Sequence, residues 1–254
     1  MESKKIRKLI IDAAFHARHG HVPSALSIVD ILVALDNKQT VEDDFILSKG
    51  HGCLAYYAYL AAKGTISIDE LRNFGKRGSN LGGHPDKNKV PGIFASTGSL
   101  GHGLPIAVGA AIAKKILKQS GKIYCLIGDG ESNEGTVWES CLVAARQKLN
   151  NLICIVDNNK SQTRSLPTSN LVNKFKSFGW KVWEVDGHDH QSLLNAFEFV
   201  SSLSTDSSDQ PTVIIANTIK GKGIKDIEND MFAWHHRAPN ELEYKKFIEE
   251  INEK

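Results

Sequence analysis

The sequence predicts an α/β fold: a mostly parallel sheet with helices on both faces. The first observation is a set of four apolar runs of strand length: "KIYCLIG" (122–128), "NLICIVDN" (151–158), "WKVWEVDG" (180–187) and "PTVIIANT" (211–218). Unbroken apolar runs are what strands buried on both faces look like. The second is that helix-patterned segments separate these runs, and alternation of strand and helix points to a parallel sheet. The third is that each run closes on or beside Gly, Asp or Asn, and ligands in such sheets sit beyond the carboxyl ends of the strands.

The elements follow in order. Lys5 to Phe15 is amphipathic, and Ser27 to Leu35 and Cys53 to Lys63 also read as helices. "GIFASTGSLGHGLPIAVGAAIAKKIL" passes from a Gly/Ser loop into a helix of small residues, where Ala107, Ala110, Ala111 and Ala113 permit close packing. After the first strand, Glu134 to Leu149 places Val137, Cys141, Ala144 and Ala145 near one face, and Gln191 to Ser202 is a further helix. "SSLSTDSSDQP" (201–211) reads as a polar surface loop before the last strand. No repeat or linker interrupts the chain. Residues 1–254 are expected as one domain, with 221–254 a C-terminal extension carrying a site loop and a terminal helix.

Composition narrows the function. The 254 residues are 41% hydrophobic and 24% charged, ordinary for a soluble globular protein. A net charge of +2 gives no reason to expect nucleic acid or an anionic membrane as partner. No apolar run approaches a membrane span, and "MESKKIRKLI" lacks a signal-peptide core. Cys53, Cys125, Cys141 and Cys154 form no CxxC pair. Cys125 and Cys154 sit inside apolar strand-like runs as small hydrophobes, and the chain reads as reduced and cytoplasmic rather than as a zinc protein.

The chemistry-bearing stretch opens at Gly128-Asp129-Gly130. A helix N-terminus offers free N–H groups and positive dipole density, which suit phosphate. An Asp there repels phosphate unless a cation intervenes, and Mg2+ commonly bridges a carboxylate to substrate phosphates. On the tripeptide alone, the reading of Asp129 as an ordinary N-cap comes first, and only its pairing with the next strand end reverses that order. About thirty residues on, the next strand ends in "VDNNKSQTRS". Neighbouring parallel strands would set these ends side by side. Asp129 and Asn159 could then grip one Mg2+, with a backbone carbonyl near Ser161 as third ligand. Ten histidines are also present, and His21, His51, His84 and His102 stand in Gly-bearing loops. Imidazoles there suit a cleft better than a core, and their donors and acceptors suit a sugar.

The "GDG" and the following "NN" are similar to the thiamine-diphosphate motif. With "GHVPSALS" (20–27), "LSKGHGC" (47–53), "GGHPD" (82–86), "STGSLGHGL" (96–104) and "WHHRAP" (234–239), the chain resembles the N-terminal, diphosphate-binding part of transketolase over nearly its whole length. The resemblance implies the thiamine-diphosphate-binding fold of diphosphate type. It implies thiamine diphosphate and Mg2+ as cofactors, with Ca2+ or Mn2+ as substitutes for the metal. The implied metal ligands are Asp129, Asn159 and Ser161. The implied cofactor contacts are His51, Gly98, Ser99, Leu100, Gly128, Asp129, Gly130, Glu134, Asn159 and His235. His21 and His84 match histidines that orient the ketose, and His51 and His235 match those that assist proton movements. Alignment on Trp234 selects His235; alignment on "AP" offers His236 instead. His102 stands where many relatives have Gln, and Arg237 replaces a familiar Lys. Glu134 and Glu139 match glutamates at the subunit contact.

The implied reaction transfers a two-carbon ketol unit from a ketose or ketose phosphate to an aldose or modified-sugar acceptor. The glutamate that activates the cofactor belongs, in the family, to a pyrimidine-binding domain absent from this chain. The expectation is therefore one subunit of a split enzyme, completed by a separately encoded C-terminal subunit in an α2β2 assembly. Two alternatives are a half of a related synthase of deoxyxylulose-phosphate type and a non-catalytic scaffold.

Overall fold

A computed structural model describes residues 2–202 and 209–253. In chain order the elements are α1 (Ser3–Ala17), α2 (Val22–Leu26), α3 (Val29–Asp36), β1 (Asp44–Leu47), α4 (Cys53–Ala62), α5 (Ile68–Arg72) and α6 (Gly103–Ile116). Then follow β2 (Ile123–Gly128), α7 (Gly135–Arg146), β3 (Leu152–Asn158), α8 (Leu171–Ser177), β4 (Lys181–Asp186), α9 (His190–Ser202), β5 (Thr212–Asn217), α10 (Lys225–Asn229) and α11 (Glu241–Glu253). They form two compact units, Met1–Val33 with Gly50–Gly98 and Ile219–Lys254, and Ala34–Lys49 with Ser99–Thr218.

The second unit contains the sheet. It has five parallel strands in the order β1-β2-β3-β5-β4. The four strands expected from sequence are all present. β2 is buried throughout, and β3 and β5 are buried up to their last residue, as their unbroken apolar runs require. β4 is half-buried, because it is the edge strand. β1 was not anticipated. "DFIL" is four residues long and follows the charged "VEDD", too short a run for periodicity to separate strand from helix. The reading of 201–211 as a loop also needs correction at its start, since Ser201 and Ser202 are the last residues of α9. Positions 203–208 of that reading lie outside the described residues.

The start of α6 rests on a close approach. The Gly103 N–H donates to the Ser48 hydroxyl at 3.1 Å, and a Cβ on Gly103 would lie 2.6 Å from the Ser48 Cα. Backbone cannot yield as a flexible side chain can. Gly103→Ala is therefore expected to cost about 1–3 kcal/mol, as overpacking does. Urea unfolding checks this, and an unchanged midpoint would show that the contact relaxes freely.

The first unit is helical. α1 buries Ile6, Ile10, Ile11, Ala13 and Ala14, and α11 docks on it. Tyr244 of α11 stacks on Phe15 at 4.4 Å, and its hydroxyl donates to Asp12 at 3.0 Å. Arg7 is mostly buried, pairs with Asp30 at 2.5 Å, and donates through Nε to the Lys222 carbonyl at 3.1 Å. The Gly221 N–H donates to the Pro23 carbonyl at 3.0 Å. These bonds fix the 219–224 turn onto α1 and α2. All four cysteines are buried and free, and burial pushes the Cys53 thiol up to about 12. Among the described residues no helix is long and apolar enough to cross a membrane.

Candidate functional site

Each unit carries one group of the expected site residues. In the sheet unit, β2 and β3 pair with Gly128 opposite Asp157, and the Asp129 N–H donates to the Asp157 carbonyl at 3.1 Å. The two strand ends are side by side, as their spacing implied. Asp129 caps a short 3-10 turn, with Oδ1 accepting from the Gly130 N–H at 2.8 Å and from the Ser161 hydroxyl at 3.1 Å. The Ser161 N–H donates to Asn159 Oδ1 at 3.1 Å. Asp129, Asn159 and Ser161 thus stand in one hydrogen-bonded circuit. Asp129 is 1% exposed, and its Oδ2 accepts no hydrogen bond. Burial first, and then the charge of Asp157, push its carboxyl above the ordinary range.

Three buried charges beneath this circuit escaped the sequence reading. Lys49 and Asp157 form an ion pair, both with side chains no more than 1% exposed. Asp157 also accepts from the Asn159 amide at 2.8 Å and from the Thr218 hydroxyl. Glu131 is 2% exposed and gathers donors from three segments. These are the Ser48 hydroxyl after β1, the Gly101 N–H at 2.9 Å, and the Gly128 N–H at the end of β2 at 3.0 Å. It thereby ties the 99–102 loop, with Ser99 and Leu100, to the strand ends. Burial raises its carboxyl above the ordinary range. The signal available was an acid in "GDGE" and a lysine in "LSKGH", each too close to a strand end to remain fully hydrated.

Gly101 packs against α7. Its φ of +81° suits glycine, and a Cβ would lie 2.6 Å from the Glu134 Cβ. The Thr136 hydroxyl closes the contact by donating to the Gly101 carbonyl at 2.9 Å. Gly128 and Gly130 differ in their surroundings. A Cβ on Gly128 would meet only ordinary contacts, while the space at Gly130 is filled by the Gln162 side chain. His102 sits at the N-terminus of α6, exposed, with Nδ1 3.0 Å from the Leu100 carbonyl.

In the helical unit, four histidines assemble. The His21 ring lies 5.4 Å from His51, 5.2 Å from His235 and 4.5 Å from His236. His21 Nδ1 is 3.0 Å from the His235 carbonyl, and only a protonated Nδ1 can donate there, which leaves Nε2 as acceptor. His235 Nδ1 is 3.2 Å from the ammonium of Lys220, a residue 3% exposed. Lysine only donates, so His235 carries its proton on Nε2. One imidazole thus presents an acceptor and its neighbour a donor, a pair suited to a sugar hydroxyl and its proton. Burial lowers His21 to about 4, against the raising effect of its bond to the His235 carbonyl. The basic neighbours His236, His235 and Lys220 lower it further. His235 is lowered as well, by burial and then by Lys220 and His236. Both rings are therefore neutral at pH 7.

His84 is not in this cluster. It is exposed and packs against Gly98, where a Cβ would lie 3.0 Å from its ring. Arg237 is occupied elsewhere, with its guanidinium 3.9 Å from the centre of the Trp234 ring and 2.5 Å from Glu243.

Residues 2–243 match the family described as "Transketolase, thiamine diphosphate binding domain". The chain is 42% identical over 262 residues to one subunit of the apulose-4-phosphate transketolase of Actinobacillus succinogenes, covering 97% of this chain and 93% of that protein. It is 36% identical over 265 residues to "6-deoxy-6-sulfo-D-fructose transketolase subunit SqwG" of a Clostridium species, covering 98% and 94%. Among solved structures it is similar to the transketolase of Campylobacter jejuni, with a TM-score of 0.89 at 30% identity. That match covers 98% of this chain but only 42% of the longer protein. With a parallel sheet of this topology and a family match over nearly its whole length, the chain belongs to the transketolase family, as a thiamine-diphosphate-binding domain.

Proposed function

We propose that this chain is the N-terminal subunit of a two-subunit transketolase that transfers a two-carbon ketol unit from a ketose phosphate or related modified sugar to an aldose. The observation that carries this reading is the buried Asp129 Oδ2, which accepts no hydrogen bond although it stands at the paired strand ends. A buried carboxylate oxygen without a donor is costly, and a bound cation removes the cost. The surrounding groups fit a hard cation. Among the described residues no group of three or more His, Cys, Asp or Glu side chains is arranged to hold a metal ion by itself. A carboxylate, an amide oxygen and a nearby carbonyl are what Mg2+ takes when phosphate and water complete its shell. Asp129, Asn159 and the Ser161 carbonyl would hold Mg2+, for which Ca2+ or Mn2+ can substitute.

Thiamine diphosphate, when bound, supplies the carbon nucleophile that carries the transferred unit. The chain supplies position and protons. Gly128 and Gly130 would border the diphosphate, and Gly98, Ser99 and Leu100 the ring. His51 and His235 would serve at the reacting centre. His21 and His84 would orient the ketose, with His21 Nε2 accepting from a sugar hydroxyl and His235 Nε2–H donating to one.

The partner would be a separate subunit carrying a pyrimidine-binding domain and the activating glutamate, in an α2β2 assembly. Two relatives are named as subunits of their enzymes while being nearly fully covered by this chain. α7 also exposes Leu142 at 58% and Val143 at 44%, and α6 exposes Ile106 at 41%, apolar side chains that an assembly would cover. Glu134 and Glu139 are exposed on the same helix or at its start.

Mixing the chain with its partner subunit, thiamine diphosphate, Mg2+, a ketose phosphate and an aldose is expected to yield a ketose two carbons longer than the acceptor and an aldose two carbons shorter than the donor. The chain alone is expected to yield neither. Robust turnover by the lone chain would overturn the subunit reading, and failure of the reconstituted complex with every ketose tried would overturn the activity.

A further inference from the structure

We infer that Glu131 is a positioning residue of the cofactor pocket: its carboxylate holds the 99–103 segment, which would border the ring of thiamine diphosphate, against the strand end that carries Asp129. The inference rests on the cofactor reading proposed above and adds a residue to which that reading gives no part.

The bonds divide between the two oxygens. Oε1 accepts from the Ser48 hydroxyl and from the Gly101 N–H at 2.9 Å. Oε2 accepts from the Gly128 N–H at 3.0 Å. The Ser48 oxygen in turn accepts from the Gly103 N–H at 3.1 Å, so a second bond to the same segment runs through a partner of Glu131. Thr136 closes the far side by donating to the Gly101 carbonyl at 2.9 Å. Gly101 and Gly103 are buried, Leu100 is half-buried and Ser99 is exposed. The segment is therefore gripped from beneath at 101 and 103, and the grip sets where 99 and 100 stand. Gly128 immediately precedes Asp129, so the same carboxylate also reaches the metal end of the site.

This arrangement needs acceptors on both sides. The two glycine amides can only donate, and of the three partners the Ser48 hydroxyl alone can rotate to accept instead. A carboxylate satisfies both sides at once. An amide in its place offers one oxygen, and its NH2 must then face an N–H on the other side. Gly128 lies in β2, which is held between β1 and β3, and cannot move away. The 99–102 turn is outside the sheet and can. Glu131→Gln should therefore keep Gly128 and release Gly101. A buried carboxylate is also a costly way to fill a gap that apolar side chains could close, which sets Glu131 apart from the ordinary core.

Two measurements test the inference. In the first, amide hydrogen exchange is followed in the full chain without cofactor. Glu131→Gln is expected to speed exchange at Gly101 at least about tenfold, the loss of one buried hydrogen bond, while β2 and β3 exchange as in the parent. Acceleration spread evenly over the sheet, or none at Gly101, overturns the proposal. In the second, calorimetry on the complex with the partner subunit compares thiamine diphosphate with inorganic pyrophosphate, each with Mg2+. Both ligands need the metal and the strand end, and only the first has a ring. Glu131→Gln should lower the affinity for thiamine diphosphate about tenfold and leave that for pyrophosphate within about threefold. Should Glu131→Gln not fold, Ser48→Ala takes its place. It keeps the Glu131 bonds to both glycine amides and frees only Gly103, so exchange should quicken at Gly103 and affinity should again fall more for thiamine diphosphate. An unchanged Ser48→Ala overturns the proposal. A parent complex that binds neither ligand overturns the cofactor reading and this inference with it. A parent that binds both, with equal losses or none in the variant, overturns this inference alone.

Discussion

Asp129→Ala is expected to weaken Mg2+-dependent binding of thiamine diphosphate to the assembled enzyme by at least about 100-fold. Losing an outer-shell partner of a metal ligand already costs 10–100-fold, so loss of the ligand itself should lie at or beyond the upper end. Calorimetry on the complex reads this directly. The companion variant, Asp129→Asn, separates function from folding. It keeps an oxygen for the Gly130 N–H and the Ser161 hydroxyl while removing a charge that burial and Asp157 both oppose. Without cofactor, Asp129→Asn should therefore be at least as stable as the parent in urea, although it binds the cofactor poorly. That combination is what a site strained for function produces. Affinity retained within about threefold in Asp129→Ala would remove Asp129 from the metal site, and a marked loss of stability in Asp129→Asn would make it a structural residue.

Lys49→Met is expected to be the most destabilising single change of this set, by about 3–5 kcal/mol, because it leaves the Asp157 carboxylate buried without its counter-charge. Asp157 holds both Asn159 and Thr218, so the loss should also loosen the strand end that carries Asn159. Lys49→Met combined with Asp157→Asn removes both charges and keeps a polar group for these partners. The double variant should recover at least half of the lost stability, since replacing both members of a buried pair is far milder than removing one. Urea denaturation of the four proteins forms a double-mutant cycle. Additive effects of the two substitutions would show that Lys49 and Asp157 do not act as a pair.

These two residues sit one step apart in the site but differ in how visible they are. Asp129 could be picked out because an acid between two glycines, at the end of an apolar run, has an obvious chemical use. Asn159 became readable only as its counterpart at the next strand end. Lys49 had no such mark, since its partner lies 108 residues away and meets it only when the sheet forms. Glu131 is similar: nothing in "GDGE" tells that its carboxylate collects Ser48 and Gly101 from two other segments. His235 and His236 could not be separated by alignment. Packing gives them different neighbours, Lys220 for one and His19 for the other.

The sequence by itself determined the strands β2, β3, β4 and β5, the main helices, and the placement of Asp129 and Asn159 at neighbouring strand ends. Period, run length and strand-end chemistry are local properties, written within a few residues of where they act. The tertiary structure alone decided β1, the buried Lys49–Asp157 pair, the three-way bond of Glu131, and the cluster of His51, His235 and His236 around His21. Each of these joins residues far apart in the chain. Their energies come from burial and from partners brought in by register and packing, and no local pattern in the sequence encodes those.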